Sequence, residues 1–429
     1  MLCAFAVVAA CARDMEPYEQ PPNNYSATQP QDSITNLQTR LAAGQVKYGS
    51  TDRELLEALL REFNIPVASQ VVVFSKTSLQ RHRIRPDHPR AIYFTDNAYV
   101  GWVPGGLMEV TTIDPVLGPI FYALDPTAVR TNARNAFVRD SDCMRCHGGT
   151  FVRGIPGVFV RSLYTDAEGE PMLRHGSEVV DFRTPFENRW GGWYVTGKHG
   201  AVLHRGNVVA QEKQDQLVVD FKRGANVTNL AGFFQTQDYP AASSDIVALL
   251  VLEHQTAMQN TLTRASVNCR RMLAYQKNLQ SDLKEPVTEE LTYDSVKSVF
   301  ESTAREITDD LLFKGEAELP AGLAGSPAFQ LAFQIHVRRT AEGRSLKDFS
   351  LKGHLFENRC SYLIYSDSFL RLPDQLRRRV FDRLALALRA TDADPRYAYL
   401  GAAERARIAR ILRDTHPELS QRLAPARAP

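Results

Sequence analysis

The feature that most constrains the fold is a stretch of some thirty residues without glycine or proline. It begins near Ser243 and ends near Asn278, and its apolar side chains recur every three or four positions. This spacing is typical of a long amphipathic helix with one buried face. Shorter helical patterns follow at residues 293–312, 327–339, 374–389 and 403–413. The second half of the chain is therefore predicted to be mostly helical.

The chain before this helix has a different pattern of residue types. Runs of β-branched and aromatic residues alternate there with Gly, Pro, Asp and Asn, which is typical of strands joined by tight turns. The runs are VVVFS, AIYFT, AYVGWV, LMEVTTI and PIFYAL, followed after Cys146 by GVFVRSLYT, GGWYVTG and QLVVDF. A helix from Thr51 to about Phe63 precedes them. We therefore predict an α+β fold, in which a mostly helical C-terminal module packs on a β-rich module.

These sequence patterns divide the chain into four segments. Residues 1–11 are predicted to be a leader, 12–50 a polar linker, 51–242 the mixed α/β module and 243–429 the helical module. The linker contains PPNN and ATQPQD where a core would need apolar residues, with a short helix near residues 34–41. The leader MLCAFAVVAAC is almost wholly apolar and ends like a bacterial lipobox, with Cys11 as the acylated residue. Because it lacks the basic start of a secretory signal, a buried helix is the alternative.

The composition limits the classes of partner. Lys and Arg number 51 against 49 Asp and Glu, so the net charge is only +2 and no long-range field attracts a polyanion. We therefore expect no nucleic-acid partner. The longest apolar run after the leader, residues 246–252, is far shorter than the ~18 residues that cross a bilayer. The only membrane attachment expected is a lipid at Cys11.

Residues 141–149 read SDCMRCHGG and contain the motif Cys-x-x-Cys-His at Cys143, Cys146 and His147. This is the sequence at which haem is attached covalently as haem c. Two thiols three positions apart can each add to a vinyl group of one porphyrin, and the adjoining histidine then binds the iron as an axial ligand. With six cysteines and ten histidines in 429 residues, chance produces this pattern in roughly two of a thousand such chains. The motif predicts one covalent haem c, with His147 as an iron ligand.

Two other interpretations of the motif compete with haem attachment. A zinc site would need a second pair of ligands at short spacing, and two of the remaining cysteines, Cys269 and Cys360, are isolated. A thioredoxin-like redox pair would start a helix after a strand, whereas Gly148 and Gly149 follow this motif at once. Haem attachment is therefore favoured. Cys269 and Cys360 are predicted either to form a disulfide or to be buried free thiols.

Three arginines surround the motif, at Arg145, Arg153 and Arg161. The planar guanidinium group suits the carboxylates of haem propionates, so each arginine is a candidate propionate partner. A position facing solvent is an equally open interpretation for all three.

The second axial position decides between electron transfer and ligand chemistry. We predict His199, because it follows RWGGWYVTGK, where two of the three tryptophans and several glycines offer a wall for a flat macrocycle. His204 lies five residues further and would face the opposite side of a strand. His254 and Met258 lie on the buried stripe of the long helix, and His175 lies in a predicted turn. A distal site without a protein ligand is the remaining alternative.

Several longer strings are similar to a known family. They are AIYFTDNAYVGWVPGG, IDPVLGPIFYALD, CMRCHGG followed by IPGVFVRS, RWGGWYVTGKHG with HRGN, and CSYLIYSDSF, and they span roughly residues 70–370. In these strings the chain resembles a family of bacterial envelope proteins that contain a single cytochrome c-type haem site. The resemblance implies electron transfer and haem binding by Cys143, Cys146 and His147. It also draws attention to His199 and His204.

From the motif, the leader and the resemblance we expect a monohaem c-type cytochrome that is exported to the periplasm of a bacterial cell envelope. Bacteria attach haem c outside the cytoplasm, so the motif and the leader support each other. The expected partner is a redox protein of the envelope. Two alternatives stay open: a haem-dependent oxidoreductase or peroxidase-like enzyme with an open distal site, and a haem-based redox sensor or binding module.

Overall fold

The computed structural model describes residues 16–131 and 133–423. The predicted leader, including Cys11, lies outside the described residues. Within them, eleven strands form one seven-stranded sheet and two two-stranded sheets, and ten α-helices pack around these. The fold is α+β, as predicted, with the large sheet in the N-terminal half and most of the helical residues in the C-terminal half.

The large sheet is antiparallel and is built mainly from consecutive hairpins. The strands of the molecule are β1 (Val71–Val73), β2 (Arg90–Phe94), β3 (Ala98–Trp102), β4 (Met108–Asp114), β5 (Gly118–Leu124), β6 (Phe137–Arg139), β7 (Val160–Leu163), β8 (Ser177–Val180), β9 (Trp193–Tyr194), β10 (Ala210–Lys213) and β11 (Gln216–Val219). The order in the large sheet is β6-β5-β4-β3-β2-β1-β9. Each of the eight predicted runs contains a strand, whereas β6, β8 and β10 were not predicted.

The helices follow the predicted order closely. They are α1 (Ile34–Ala42), α2 (Asp52–Glu62), α3 (Pro126–Thr131), α4 (Met144–His147), α5 (Ile246–Asp282), α6 (Asp294–Leu311), α7 (Pro327–Phe333), α8 (Asp367–Leu370), α9 (Asp374–Ala387) and α10 (Ala402–Thr415). The predicted long helix is α5, which spans 37 residues and begins where the carboxylate of Asp245 accepts the N–H groups of Val247 and Ala248. Helix α7 ends before the predicted residue 339, because His336 adopts a left-handed backbone conformation with φ 57°.

The two faces of the large sheet pack against different layers, because successive side chains of a strand point to opposite sides. One face is covered by α1, α2 and the chain before them, and carries Val72, Tyr93, Val100, Val110 and Tyr122. The other face looks towards α5 and the Cys-x-x-Cys-His segment, and carries Val73, Ile92, Tyr99, Thr111 and Phe121. The sheet therefore lies between two layers.

Residues 16–50 belong to the fold, so the prediction of a polar linker was wrong for the described part of that segment. Its buried apolar side chains include Tyr18, Tyr25, Ile34, Leu37 and Leu41. The Tyr25 hydroxyl donates to the carbonyl oxygen of Pro119 at 2.7 Å, and the Asp32 carboxylate accepts from the hydroxyl of Tyr122 at 2.6 Å. A few well-placed apolar side chains anchor a stretch that is polar on average. The short helix predicted near residues 34–41 is confirmed as α1.

The C-terminal helices pack on the sheet through one buried core, as predicted. That core joins Val71 and Phe121 of the sheet to Leu250 of α5, Phe300 of α6 and Leu412 of α10. None of the described helices combines the length and the apolar content that a bilayer crossing requires.

Candidate haem-attachment site

The motif lies on a tight pair of turns that brings its three functional side chains together. Asp140 caps the turn Ser141–Cys143 by accepting the N–H of Asp142 at 2.8 Å, and α4 follows at once. The N–H of Gly148 donates to the carbonyl of Met144 and closes α4. A Cβ atom at Gly148 would lie only 2.5 Å from the Tyr18 hydroxyl, so a larger residue here would displace Tyr18. The N-terminal segment thus packs directly on the end of the motif.

His147 has one ring nitrogen engaged and one free. Its Nδ1 lies 2.8 Å from the carbonyl oxygen of Gly157, and because a carbonyl only accepts, Nδ1 carries the proton. The ring stacks on Phe121, with centroids 4.4 Å apart, and contacts Phe159 at 5.3 Å. Burial lowers the pKa of His147, which favours the neutral imidazole. Its Nε2 has no hydrogen-bond partner among the described residues, and this is the tautomer that a metal-binding histidine needs.

His147 and both thiols line one cleft, which we call the motif cleft. It contains about 1210 Å³ of empty space, including solvent at its mouth. Its floor is the sheet, with Val73, Arg90, Ile92, Tyr99, Glu109, Thr111 and Phe121. Its other wall comes from the segment after α4, from β9 and from α5, with Phe151, Val158, Phe159, Val160, Arg161, Trp193, Leu252 and Thr256. Aromatic and aliphatic side chains predominate, which suits a flat apolar macrocycle.

The two thiols of the motif differ in their surroundings. Cys146 is exposed, whereas Cys143 is half-buried, and neither is in a disulfide. Burial raises the pKa of the Cys143 thiol to about 12, with further contributions from the nearby carboxylates of Asp140 and Glu109. Both cysteines belong to the lining of the cleft that His147 also lines, so the donor set fits a covalently attached haem c.

One of the three arginines that flank the motif lines the cleft. The guanidinium carbon of Arg161 lies 4.5 Å from the centre of the Phe151 ring, and its Nε donates to Ser177. Arg145 is exposed, and Arg153 is exposed with Glu306 at 3.7 Å. Of the three, Arg161 is therefore the one placed to meet a propionate.

Sequence reasoning missed a second arginine in the cleft. Arg90 pairs there with Glu109, whose carboxylate also accepts from Ser78 and Gln80. Arg90 and Glu109 lie on β2 and β4, far from the motif in sequence, and reach the cleft through the register of the sheet. The signals available in the sequence were Glu109 inside one predicted strand and Arg90 directly before another.

The structure does not bring His199 to the motif cleft. Its Nδ1 lies 2.7 Å from the carbonyl of Val202, and its Nε2 accepts the backbone N–H of Asn226 at 2.8 Å. His204 lies against it, with ring centroids 4.5 Å apart, and its Nδ1 accepts the N–H of Gly206. The two histidines are buried and hold their own loops together, and neither is among the residues that line the cleft.

The other candidate ligands also lie outside the cleft lining. The Nε2 of buried His254 is 2.8 Å from the hydroxyl of Ser361, and Met258 is buried in the core. The Nε2 of His175 lies 3.6 Å from the carboxylate of Glu212. Among the described residues that line the cleft, the motif supplies the single histidine, and there is no methionine or lysine. Within residues 16–131 and 133–423, the cleft lining therefore offers no second histidine or methionine to an iron bound by the motif.

The structure gives little support to the competing interpretations of the cysteines. In the described part of the chain, no three or more His, Cys, Asp or Glu side chains lie close enough to hold a metal ion, so a zinc site has no ligand set there. Cys269 and Cys360 are buried free thiols, the second of the two states predicted for them.

Comparison of the chain with family models, with curated proteins and with solved structures finds no match.

Proposed function

We propose that this protein is a monohaem c-type cytochrome that transfers electrons. Cys143 and Cys146 would hold the haem through thioether bonds, and His147 would bind its iron through Nε2. The observation that carries the proposal is the state of His147, whose Nδ1–H is held by the Gly157 carbonyl while Nε2 is unpaired beside two free thiols. The haem supplies an iron that alternates between the ferrous and ferric states.

Each group around His147 has a distinct role in this proposal. The Gly157 carbonyl orients the imidazole, and Phe121 and Phe159 pack on its ring. The aromatic and aliphatic walls of the cleft exclude water from a macrocycle. Arg161 supplies a positive charge for a propionate.

We also propose export to the bacterial cell envelope, with a periplasmic location, a lipid at Cys11 and a redox protein of the envelope as partner. The support is the motif, since bacteria attach haem c outside the cytoplasm, together with the apolar leader and its lipobox-like end. The resemblance to envelope proteins with a single haem site points the same way.

A second candidate function is that of a haem-dependent oxidoreductase or peroxidase-like enzyme with an open distal site. It is favoured by the lining of the motif cleft, which in the described residues contains no histidine besides His147, no methionine and no lysine. An iron without a second protein ligand binds small molecules such as peroxide or carbon monoxide, whereas an iron with two protein ligands resists them.

The covalent bond is tested by expression in a bacterium with a periplasmic haem-attachment system. A denaturing gel stained for haem should mark the wild-type protein and leave the Cys143→Ala/Cys146→Ala variant unstained. Cys269→Ala/Cys360→Ala is the matched control, because these thiols are buried outside the cleft, and it should keep the stain. An unstained wild-type protein that is otherwise folded, or a stained motif variant, would contradict the proposal.

The absorption spectrum of the stained protein separates the two candidate functions. A high-spin ferric spectrum and rapid binding of carbon monoxide to the ferrous protein support the open distal site. A low-spin spectrum that does not change when carbon monoxide is added supports a cytochrome with two protein ligands. His199→Ala addresses the ligand predicted from the sequence: a change from low spin to high spin in that variant would place His199 on the iron.

A further inference from the structure

An ion pair forms part of the floor of the motif cleft, among mainly apolar side chains. Arg90 and Glu109 contact each other, and their side chains are only 19% and 25% exposed. The Glu109 carboxylate also accepts the Ser78 hydroxyl at 2.7 Å and the Gln80 amide at 3.1 Å. Burial raises the pKa of Glu109, but Arg90 and these two donors hold it below its usual value. The site is therefore built to keep a carboxylate ionised beside a guanidinium.

The pair depends on a glycine in the strand between its two members. On β3, Gly101 is paired with Ile92 on one side and with Glu109 on the other. A Cβ atom at Gly101 would collide with the Arg90 guanidinium, which occupies the space above this glycine. The side chain of Arg90 thus crosses β3 to reach Glu109, and any larger residue at position 101 would displace it.

The ion pair and the motif share one cleft, because Arg90, Glu109 and His147 all belong to its lining. Charges in a partly buried cleft are screened less than in bulk water. A guanidinium and a carboxylate on the cleft floor therefore act in opposite directions on any charge that changes beside the motif.

We propose that Arg90 and Glu109 shift the reduction potential of the haem iron in opposite directions, and that their pairing balances the two shifts. The inference rests on the haem attachment proposed above. A carboxylate beside the iron stabilises the ferric state, which carries the additional positive charge, and a guanidinium stabilises the ferrous state. In the intact pair the two effects oppose each other, so loss of either residue leaves the other charge unbalanced in a partly buried cleft. Neither residue binds iron. Each acts through the charge that it places in the cleft.

The test is the midpoint potential of the haem-stained protein, measured by spectroelectrochemical titration. Glu109→Gln should raise the potential, Arg90→Gln should lower it, and the double variant should lie between them, close to wild type. Gly101→Ala displaces the guanidinium and should shift the potential in the same direction as Arg90→Gln. The matched control is the pair Arg359–Glu404, with side chains 18% and 10% exposed and outside the cleft lining. Changing either of its members alone to Gln should leave the potential unchanged.

Shifts of the same sign in the two single variants, or potentials that stay at the wild-type value, would overturn the proposed role of the ion pair. Haem staining and circular dichroism of every variant keep the two proposals apart. An unstained wild-type protein contradicts haem attachment itself, whereas stained and folded variants with unchanged potentials contradict only the role of the pair. Should a single variant not fold, Gly101→Ala carries the same test, because it displaces the Arg90 guanidinium and should lower the potential.

Discussion

A single backbone carbonyl determines what His147 can do. By accepting the Nδ1–H at 2.8 Å, Gly157 fixes both the tautomer and the direction of the ring. Loss of such a partner typically reduces metal affinity ~10–100-fold. Gly157 itself has no room for a side chain, because a Cβ atom would lie 2.7 Å from the Cγ1 of Val152 and 2.8 Å from the Oδ1 of Asn260. The glycine is therefore as much a part of the site as the histidine.

With haem attached as proposed, Gly157→Ala should weaken the bond between His147 and the iron without removing the haem, since the proposed thioether bonds do not involve position 157. The added Cβ forces the carbonyl away from Nδ1, so the imidazole loses its fixed orientation. In an acid titration followed by absorption, the variant should lose histidine ligation at a higher pH than wild type. Gly232→Ala is the control, because nothing lies within 4 Å of the added Cβ. Identical titrations for wild type and Gly157→Ala would contradict this role.

At the level of residues, the sequence predicts only the part of the candidate site that is local. Cys143, Cys146 and His147 are adjacent in the chain, and one turn brings them together whatever the rest of the fold does. Arg90 and Glu109 enter the cleft only through the register of the sheet, which a single sequence does not reveal. His199 was chosen for its glycine-rich surroundings, and in the structure those surroundings let its ring bind two backbone groups of its own loop.

Among the elements, α2 illustrates how a local signal and a tertiary contact combine. Thr51 and Glu54 form a capping box, in which each side chain accepts the backbone N–H of the other. The helix then buries leucines, including Leu55, Leu56, Leu59 and Leu60, in the core behind the sheet. The cap fixes where the helix begins, and the leucines fix which side faces the sheet.

Thr51→Ala should lower the free energy of unfolding by about 1 kcal/mol, because the N–H of Glu54 loses its acceptor at the start of α2. Thr51→Ser keeps the hydroxyl and should remain within a few tenths of a kcal/mol of wild type, as an N-cap serine is equivalent. Urea denaturation followed by circular dichroism measures both. The haem spectrum should be unchanged in both variants, since α2 packs on the face of the sheet opposite the motif cleft. A full loss in the serine variant as well would argue against the cap.

The elements also divide into those that the sequence predicts and those that it does not. The periodicity of α5 and the β-branched and aromatic runs of five to seven residues that contain β1 to β5 are long enough to specify their structure without tertiary information. Strands β6, β8 and β10 span three or four residues, and partner strands rather than their own pattern define them. The segment before α1 was read as a linker because its anchors, such as Tyr18 and Tyr25, are few and widely spaced.

For the molecule as a whole, buried neutral histidines link stability to pH. Burial lowers the pKa of both His204 and His254 to about 3, and the second cause is His199 for the former and Arg183 for the latter. In the unfolded chain the same groups titrate near ~6.5. Below that pH the unfolded state binds more protons than the native state. The contribution of the two neutral histidines to the free energy of unfolding is therefore complete above about pH 6.5 and is lost progressively towards pH 3.

His254→Leu should reduce the loss of stability in acid. Between pH 7 and pH 5 the free energy of unfolding of the variant should fall by about 2 kcal/mol less than that of wild type, at ~1.4 kcal/mol per pH unit below 6.5. Urea denaturation at the two pH values measures the difference. Loss of the contact with Ser361 lowers the free energy of unfolding by the same amount at both pH values. It therefore does not affect the change in that free energy between pH 7 and pH 5. The exposed His82 provides the control, and equal slopes in wild type and His254→Leu would contradict the linkage.

The half-buried thiol of Cys143 carries a consequence for how such a protein matures. Sulfur reacts as thiolate, and with a pKa of about 12 the folded chain leaves almost none at neutral pH. The N-terminal segment also lies across the end of the motif, with the Tyr18 hydroxyl against Gly148. In the finished fold the Cys143 thiol would therefore be a poor nucleophile. With haem attached as proposed, we expect attachment to precede the packing of Tyr18 against the end of the motif.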